Sequence, residues 1–347
     1  MVLAQQLALV TAYQEITLVL FTSLAPACAL CCVIVALPLV CAQHSYEFRA
    51  RVGRLFAFPL AGATLGLVFS ATHLGNPSNA LYVLLGVGRS PLSNEVLCAA
   101  VFLGCAATFW MACFIRREHL FGISRLLLMR LWYGALLISV VAFIASVALA
   151  YHVPTIITWY NAWAPASIVV HALFLGPFFA GVLLALSAAI HGEFSTTSGT
   201  PVQKRDRAAS DNISCKQKLQ CVSITSPDVH MLIGMARVCL VVSVIGCIAD
   251  GIVSAGYGWY ALSIRNAVVS AYEKAPYYFI VYVLAILSCL ISLGLFAYCL
   301  KRLRQHAFLQ FRTPCIVMIA ASMCAFSGVF ALRFLFYVLH MTVGIST

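Results

Sequence analysis

Charge is what this sequence has least of. Asp, Glu, Lys and Arg together make up 9% of its 347 residues, and only ten of them are acidic; a soluble domain carries roughly 25% charged residues. With 63% of the chain hydrophobic, too little polar surface exists to cover a water-soluble fold, so the class is an integral membrane protein. The net charge of +11 does not imply nucleic acid as a partner, because the basic residues lie in short loops between apolar runs. A basic n-region is lacking from the first twelve residues. Insertion is therefore expected to rest on the first spanning helix rather than on a cleaved signal.

Signatures of bound metal and haem are missing as well. Most of the 15 cysteines fall inside apolar runs (Cys28, Cys31, Cys32, Cys105, Cys113, Cys239, Cys247, Cys289, Cys299, Cys324), where Cys acts as a small hydrophobe. Cys28 and Cys31 have CxxC spacing, but Cys32 follows and no His completes a c-type haem attachment site. No cluster has iron–sulfur ligand spacing. A b-type haem needs two His facing one another across helices; His73 and His171 are available, without a second pair. The expectation is a protein without haem or metal, its cysteines used for packing. Cys215 and Cys221, in a polar loop, stay unassigned. No strong internal repeat stands out.

What is present is a series of eight runs long enough to span a bilayer, each needing about 20 apolar residues. They cover roughly 16–41, 55–72, 95–115, 131–151, 165–190, 231–253, 277–300 and 314–339. The predicted fold is an all-α bundle of eight transmembrane helices forming one membrane domain over residues 1–347. Of the 21 basic residues, 16 fall in the connections after runs 1, 3, 5 and 7. The alternate connections hold only Arg89, Arg265 and Lys274, while Arg237 and Arg333 fall within runs. Positive residues stay in the cytoplasm, so both termini and the connection from His73 to Glu95 are expected outside. Within that connection Ala80 to Val87 is apolar but too short to span, and is expected to lie in the interface. The connection around Trp159, Tyr160 and Trp163 is uncharged and aromatic, and the stretch from Tyr257 to Pro276 again mixes aromatics with few charges. Such a face suits either another protein or the lipid headgroups. Residues 192–228 are rich in Ser, Thr, Lys, Arg and Asp without hydrophobic period, and read as a flexible polar cytoplasmic loop.

Six ionisable residues lie in or at the ends of the runs: Glu15, His73, Glu95, His171, Asp250 and Arg333. Intramembrane charges face a cavity or a partner. Asp250 and Arg333 are read as structural charges, with Arg333 paired to a carboxylate such as Asp250 or to carbonyls. His73 and Glu95 sit near the outer ends of helices 2 and 3, which a tight connection brings side by side. Oxidising a quinol removes two electrons and two protons, work suited to a His and a Glu near neutral pKa. Ser93 and Asn94 add polar groups at a helix start that also favours an anion. A His at a helix end is equally an ordinary interfacial hydrogen-bonder. A reading from another class is a transporter with Asp250 and Arg333 as coupling charges; broken helices or repeats at the midplane would mark one, and neither is clear.

The stretches HLGNPSNA leading to SPLSNE, VPTIITWYNAWAP followed by LGPFFAGVLL, and the closing FYVLHMTVG, together with Glu15 and Phe21-Thr22, carry a resemblance. The sequence resembles the membrane-anchor subunits of bacterial anaerobic dimethyl sulfoxide reductases, a polysulfide-reductase-like family, over nearly its whole length apart from 192–228. The resemblance implies a multi-pass protein of the bacterial inner membrane that oxidises menaquinol. It implies two partners: an iron–sulfur subunit of the four-cluster ferredoxin-like kind and a molybdopterin catalytic subunit. The family's quinol-site His and Glu fall on His73 and Glu95. Where the family usually has an Arg before Val-Gly this protein has Gly86, and Arg89, three residues on, is the candidate to take its place. Related anchors serve polysulfide, tetrathionate and other molybdenum reductases, so the terminal electron acceptor stays open.

Overall fold

The computed structural model describes residues 2–72, 77–117, 119–120, 123–197, 227–266, 269–304 and 312–342. Eight helices there are long and apolar enough to cross a membrane: Ile16–Cys41, Tyr46–Thr72, Pro91–Ala112, Arg125–Ala150, Trp163–Ala189, Asp228–Leu262, Tyr278–Leu303 and Cys315–Val338. The eight expected runs each find their helix. Most helices run longer than the apolar cores that announced them. The second begins at Tyr46, so Arg49, Arg51 and Arg54 form its first turns rather than a loop, and Arg125 and Arg130 likewise belong to the fourth.

Along the sequence, α1 (Val2–Gln14) is followed by α2 (Ile16–Ala36) and one further turn, α3 (Pro38–Cys41). Then come α4 (Tyr46–Thr72), a 3-10 helix (Pro77–Gly86), α5 (Pro91–Ala112), the two-residue strands β1 (His119–Leu120) and β2 (Ile123–Ser124), and α6 (Arg125–Ala150). The second half holds α7 (Trp163–Thr197), α8 (Pro227–Leu262), the short α9 (Ala271–Lys274), α10 (Tyr278–Arg304) and α11 (Arg312–Val338). The strands pair antiparallel, His119 opposite Ser124. The 3-10 helix occupies the apolar stretch expected between helices 2 and 3. Helix continues into both ends of the polar segment, to Thr197 and from Pro227; residues 198–226, with Cys215 and Cys221, lie outside the described residues, as does His73.

Sequence neighbours pair as hairpins, α2 with α4, α5 with α6, α7 with α8 and α10 with α11, and α2 and α7 join the two halves. These two form the centre: 67% and 72% of their apolar windows are buried, against 22–33% for the other six spans. The outer helices turn Leu, Ile and Val outward, as along Val238, Val241, Ile245, Ile248 and Ile252 on α8. That apolar girdle suits a lipid solvent, where no hydrophobic effect drives helices together and close packing does. The most extensive interface is between α7 and α8. Pro177 has no N–H for the carbonyl of Leu173, four residues before it, and α8 presses on that spot. A β-carbon at Gly246 would lie 2.6 Å from the Leu173 oxygen, so only glycine fits.

One end of the bundle is basic. There Arg49 is buried, donating to the carbonyls of His44 at 2.9 Å and Ile115 at 3.0 Å, and Arg130 donates to Val40 at 2.9 Å. At the opposite end, the Glu95 end, the C-terminal segment is stitched to the connection between α6 and α7. The Ile157 N–H donates to the Met341 carbonyl at 2.9 Å and the Met341 N–H to Thr158 Oγ1 at 3.3 Å. The α1 helix packs against α11 and α9. It was not anticipated as a separate element, being too short to span and set off from the first run by Glu15.

Candidate functional site

The start of α5 is built around a tight turn. Gly88 has φ +82°, a left-handed conformation that glycine adopts without steric cost. Its N–H donates to the side-chain oxygen of Asn94 at 2.7 Å, and the N–H groups of Arg89 and Ser90 donate to the Gly86 carbonyl at 3.0 and 2.9 Å. Pro91 then opens the helix, where its missing N–H costs nothing. Asn94 therefore anchors the turn. Ser93 is buried, and a β-carbon at position 86 would lie 2.5 Å from its hydroxyl. An arginine at Gly86 would displace Ser93, which is the physical content of this protein's departure from the family pattern; Arg89, in the turn, is exposed.

Glu95, the fifth residue of α5, points into the bundle and is 4% exposed. Tyr151, one residue past the end of the neighbouring antiparallel α6, lies within electrostatic reach of both Glu95 and Arg333. Tyr151 accepts a hydrogen bond from the Tyr337 hydroxyl at 2.6 Å. Behind them Arg333 is 0% exposed. Its Nε donates to Thr22 Oγ1 and its Nη1 to Ser167 Oγ, both at 3.1 Å. The guanidinium carbon sits 4.2 Å from the Phe336 ring centroid, 5.4 Å from that of Tyr151 and 5.6 Å from that of Tyr337. Its Nη2 has no hydrogen-bond partner among the described residues. Trp159 closes this end, stacked on Phe336 at 4.9 Å and edge-on to His340 at 5.1 Å. At the rim Lys274 Nζ donates to the His340 carbonyl at 2.7 Å; burial and the Lys274 charge lower the His340 pKa from its ordinary value.

Asp250 and Arg333 are not a pair, contrary to the expectation. Asp250 lies deeper, 12 residues before the end of α8, with Oδ1 2.8 Å from His171 Nδ1. Ser254 Oγ donates to the same oxygen at 3.2 Å. The Gly246 contact explains the match: it brings α8 against α7, and Asp250, one turn further on the same face, reaches His171. Arg333 instead meets hydroxyls and aromatic rings.

The structure thus brings Tyr151, Tyr337 and Arg333 into contact, with Glu95 buried within electrostatic reach of Tyr151, while nearby Asn94 holds the turn and Ser93 lies buried against Gly86. The two tyrosines, Thr22 and Ser167 were not read as site residues from the sequence. For Tyr151, Tyr337 and Ser167 the nearest signal was their position, one turn or less from the end of an apolar run, whereas Thr22 lies six residues into its run. A buried carboxylate near the end of a bundle, within electrostatic reach of a phenol, is suited to taking up and releasing a proton. Among the described residues no group of three or more His, Cys, Asp or Glu is placed to hold a metal ion.

The family model described as DMSO reductase anchor subunit (DmsC) matches residues 9–339. The protein belongs to this family. It is 27% identical over 174 residues to the anaerobic dimethyl sulfoxide reductase subunit YnfH of Escherichia coli K12, covering 50% of this sequence and 57% of that protein. It is 27% identical over 152 residues to the C subunit of anaerobic dimethyl sulfoxide reductase from Haemophilus influenzae, covering 44% of this sequence and 52% of that protein. The match thus spans about half the length of these curated relatives. Membership bears out the resemblance carried by the sequence motifs, and with the eight spans it makes this a multi-pass protein of the bacterial inner membrane.

Proposed function

We propose that the protein is the membrane-anchor and menaquinol-oxidising subunit of a dimethyl sulfoxide reductase complex. It passes electrons to an iron–sulfur subunit, which feeds a molybdopterin catalytic subunit. The observation that carries the reading is Glu95, a carboxylate buried near one end of the bundle within electrostatic reach of Tyr151, which Arg333 also reaches. His73, four residues before the 3-10 helix in sequence, supplies the hydrogen bond to a ring oxygen of the quinol, and Glu95 takes its proton. An apolar cleft of about 420 Å³ lined by Leu60, Ala61, Thr64, Leu65, Val68 and Trp110 runs between α4 and α5. It suits the isoprenoid tail, since quinone sites are apolar clefts with few polar groups.

The basic end faces the cytoplasm by the positive-inside rule, which puts the Glu95 end and both termini outside. Electrons do not cross about 30 Å of hydrocarbon unaided, so the iron–sulfur partner docks on the Glu95 end and protons leave there. Photo-cross-linking from a benzophenone side chain at exposed Thr155 should capture that partner, and from exposed Gln43 at the basic end should not. Capture from Gln43 alone reverses the docking. The reading of the site itself is tested by Glu95→Gln, which keeps volume and hydrogen bonding but accepts no proton. Quinol-dependent turnover of the assembled complex is expected to fall on the order of a hundredfold, with turnover from an artificial donor to the catalytic subunit unchanged. Equal loss of both, or of neither, removes Glu95 as proton acceptor.

A further inference from the structure

Arg333 is among the largest fully buried side chains of the bundle. Among the described residues it has no carboxylate in ion-pair contact; its partners are two hydroxyls and three rings. A buried cation without an anion is costly, and here it is not what holds the hydroxyls. Thr22 also donates to the Leu18 carbonyl at 2.8 Å and Ser167 to the Ala164 carbonyl at 2.7 Å. The charge faces the tyrosine pair. Tyr337 gives its proton to Tyr151 at 2.6 Å, which leaves the Tyr151 hydroxyl its own proton to donate elsewhere. Tyr151 ends α6 and Glu95 lies about 6 Å, one turn, into the antiparallel α5, so the two buried groups lie at the same end of one helical hairpin, within electrostatic reach of each other.

We propose that Tyr151, backed by Tyr337 and Arg333, is a positioning residue for Glu95 in quinol oxidation. This rests on the reading of the Glu95 end as the quinol site. The Tyr151 hydroxyl orients the carboxylate so that one oxygen faces the substrate hydroxyl. Arg333, through the tyrosine pair, offsets the carboxylate's negative charge in a region where water does not. In the step served, the quinol's O–H bonds break and it becomes a quinone. One proton bonds to Glu95, the other leaves to water at the same end, and two electrons go to the iron–sulfur partner. Tyr151 and Arg333 gain and lose nothing. This placement makes the tyrosines matter for rate and little for binding, because a group that aligns a base acts mainly in the transition state.

The test uses the complete complex in membranes, comparing Tyr151→Phe, Tyr337→Phe and Glu95→Gln with the natural protein in quinol-dependent kinetics and in artificial-donor turnover. For Tyr151→Phe a loss of kcat on the order of tenfold is expected, with KM within about twofold and the artificial-donor rate unchanged. Tyr337→Phe should show the same pattern at a smaller amplitude, about threefold, since Tyr151 keeps its own hydroxyl. An unchanged kcat in Tyr151→Phe beside an inactive Glu95→Gln overturns the positioning role and leaves the quinol site standing. Full rates in all three variants remove the site and this inference together. A raised KM at unchanged kcat, or a parallel fall of the artificial-donor rate, reduces Tyr151 to packing. Should Tyr151→Phe fail to assemble, Tyr337→Phe decides by the same criteria.

Discussion

Asp250 and Glu95 are the two buried carboxylates among the described residues, and the bundle holds them in opposite ways. Asp250 is closed. His171 stands 2.8 Å away and Ser254 donates to the same oxygen, deep between two helices locked together at Gly246. Glu95 is open: it lies near one end of the bundle, its neighbour Tyr151 is a phenol, and the cation beyond, Arg333, is engaged with hydroxyls and rings. A carboxylate with a basic partner at contact distance has one favourable arrangement, and changing its charge breaks that arrangement. A carboxylate served at arm's length by a hydroxyl can gain or lose a proton without dismantling its surroundings. On the proposed reading the first kind of site holds helices in register and the second kind does chemistry.

The sharpest way to break this contrast is to remove half of the closed pair. Asp250→Ala leaves His171 facing an empty acceptor position, and breaking a buried pair in this way costs about 3–5 kcal/mol. Thermal unfolding of the detergent-solubilised protein measures it, and an unchanged melting temperature would mean that the pair is not closed. Replacing both partners by leucine should recover most of that loss, because a buried pair is often no better than an apolar one. Arg333→Met carries the contrast to the open side. Since Thr22 and Ser167 keep their carbonyl acceptors, stability should stay within about 1 kcal/mol while quinol turnover falls. A large loss of stability would return Arg333 to the structural charges.

The smallest effect concerns the rim. The His340 pKa is lowered by burial and by Lys274, so the folded protein binds that proton less readily than the unfolded polypeptide does. Its contribution is complete above the unfolded value of about 6.5 and is lost as pH falls through the lower folded value. Melts in mildly alkaline and mildly acidic buffer should show a small acid destabilisation that His340→Gln removes. If the variant keeps the same difference, other groups cause it.

The architecture was legible because a bilayer imposes it. Apolar runs of the right length and alternating basic loops mark eight spans without any knowledge of packing. Glu95, His171, Asp250 and Arg333 were legible as charges in the wrong place, for the same reason. Their partners were not. The pairing of His171 with Asp250 joins residues on different helices and depends on Gly246 reaching the carbonyl that Pro177 leaves free, a contact with no sequence period. Pairing Arg333 with Asp250 was the natural guess from charge alone, and the helix packing overrules it. Tyr151 and Tyr337 escaped notice because tyrosines near span ends are ordinary interfacial residues. Asn94 was read as a ligand-binding group beside Glu95; its use in holding the turn at the left-handed Gly88 was not legible.

The claim that the open carboxylate marks the quinol site is met most directly by locating a quinone on the protein. A second cleft, of about 490 Å³, lies between α8 and α10 beside Asp250, lined by Cys247, Gly251 and Tyr282 among others. It makes a fair competitor to the cleft between α4 and α5. A photoreactive azidoquinone added to membranes holding the complete complex, followed by peptide mapping, separates the two. Label is expected in peptides from the end of α4 through the first turns of α5, competed away by menaquinol and diminished in Glu95→Gln. Competable label confined to Val244–Ala255 or Tyr282–Leu293 would place the quinol beside the closed pair and contradict the assignment of Glu95.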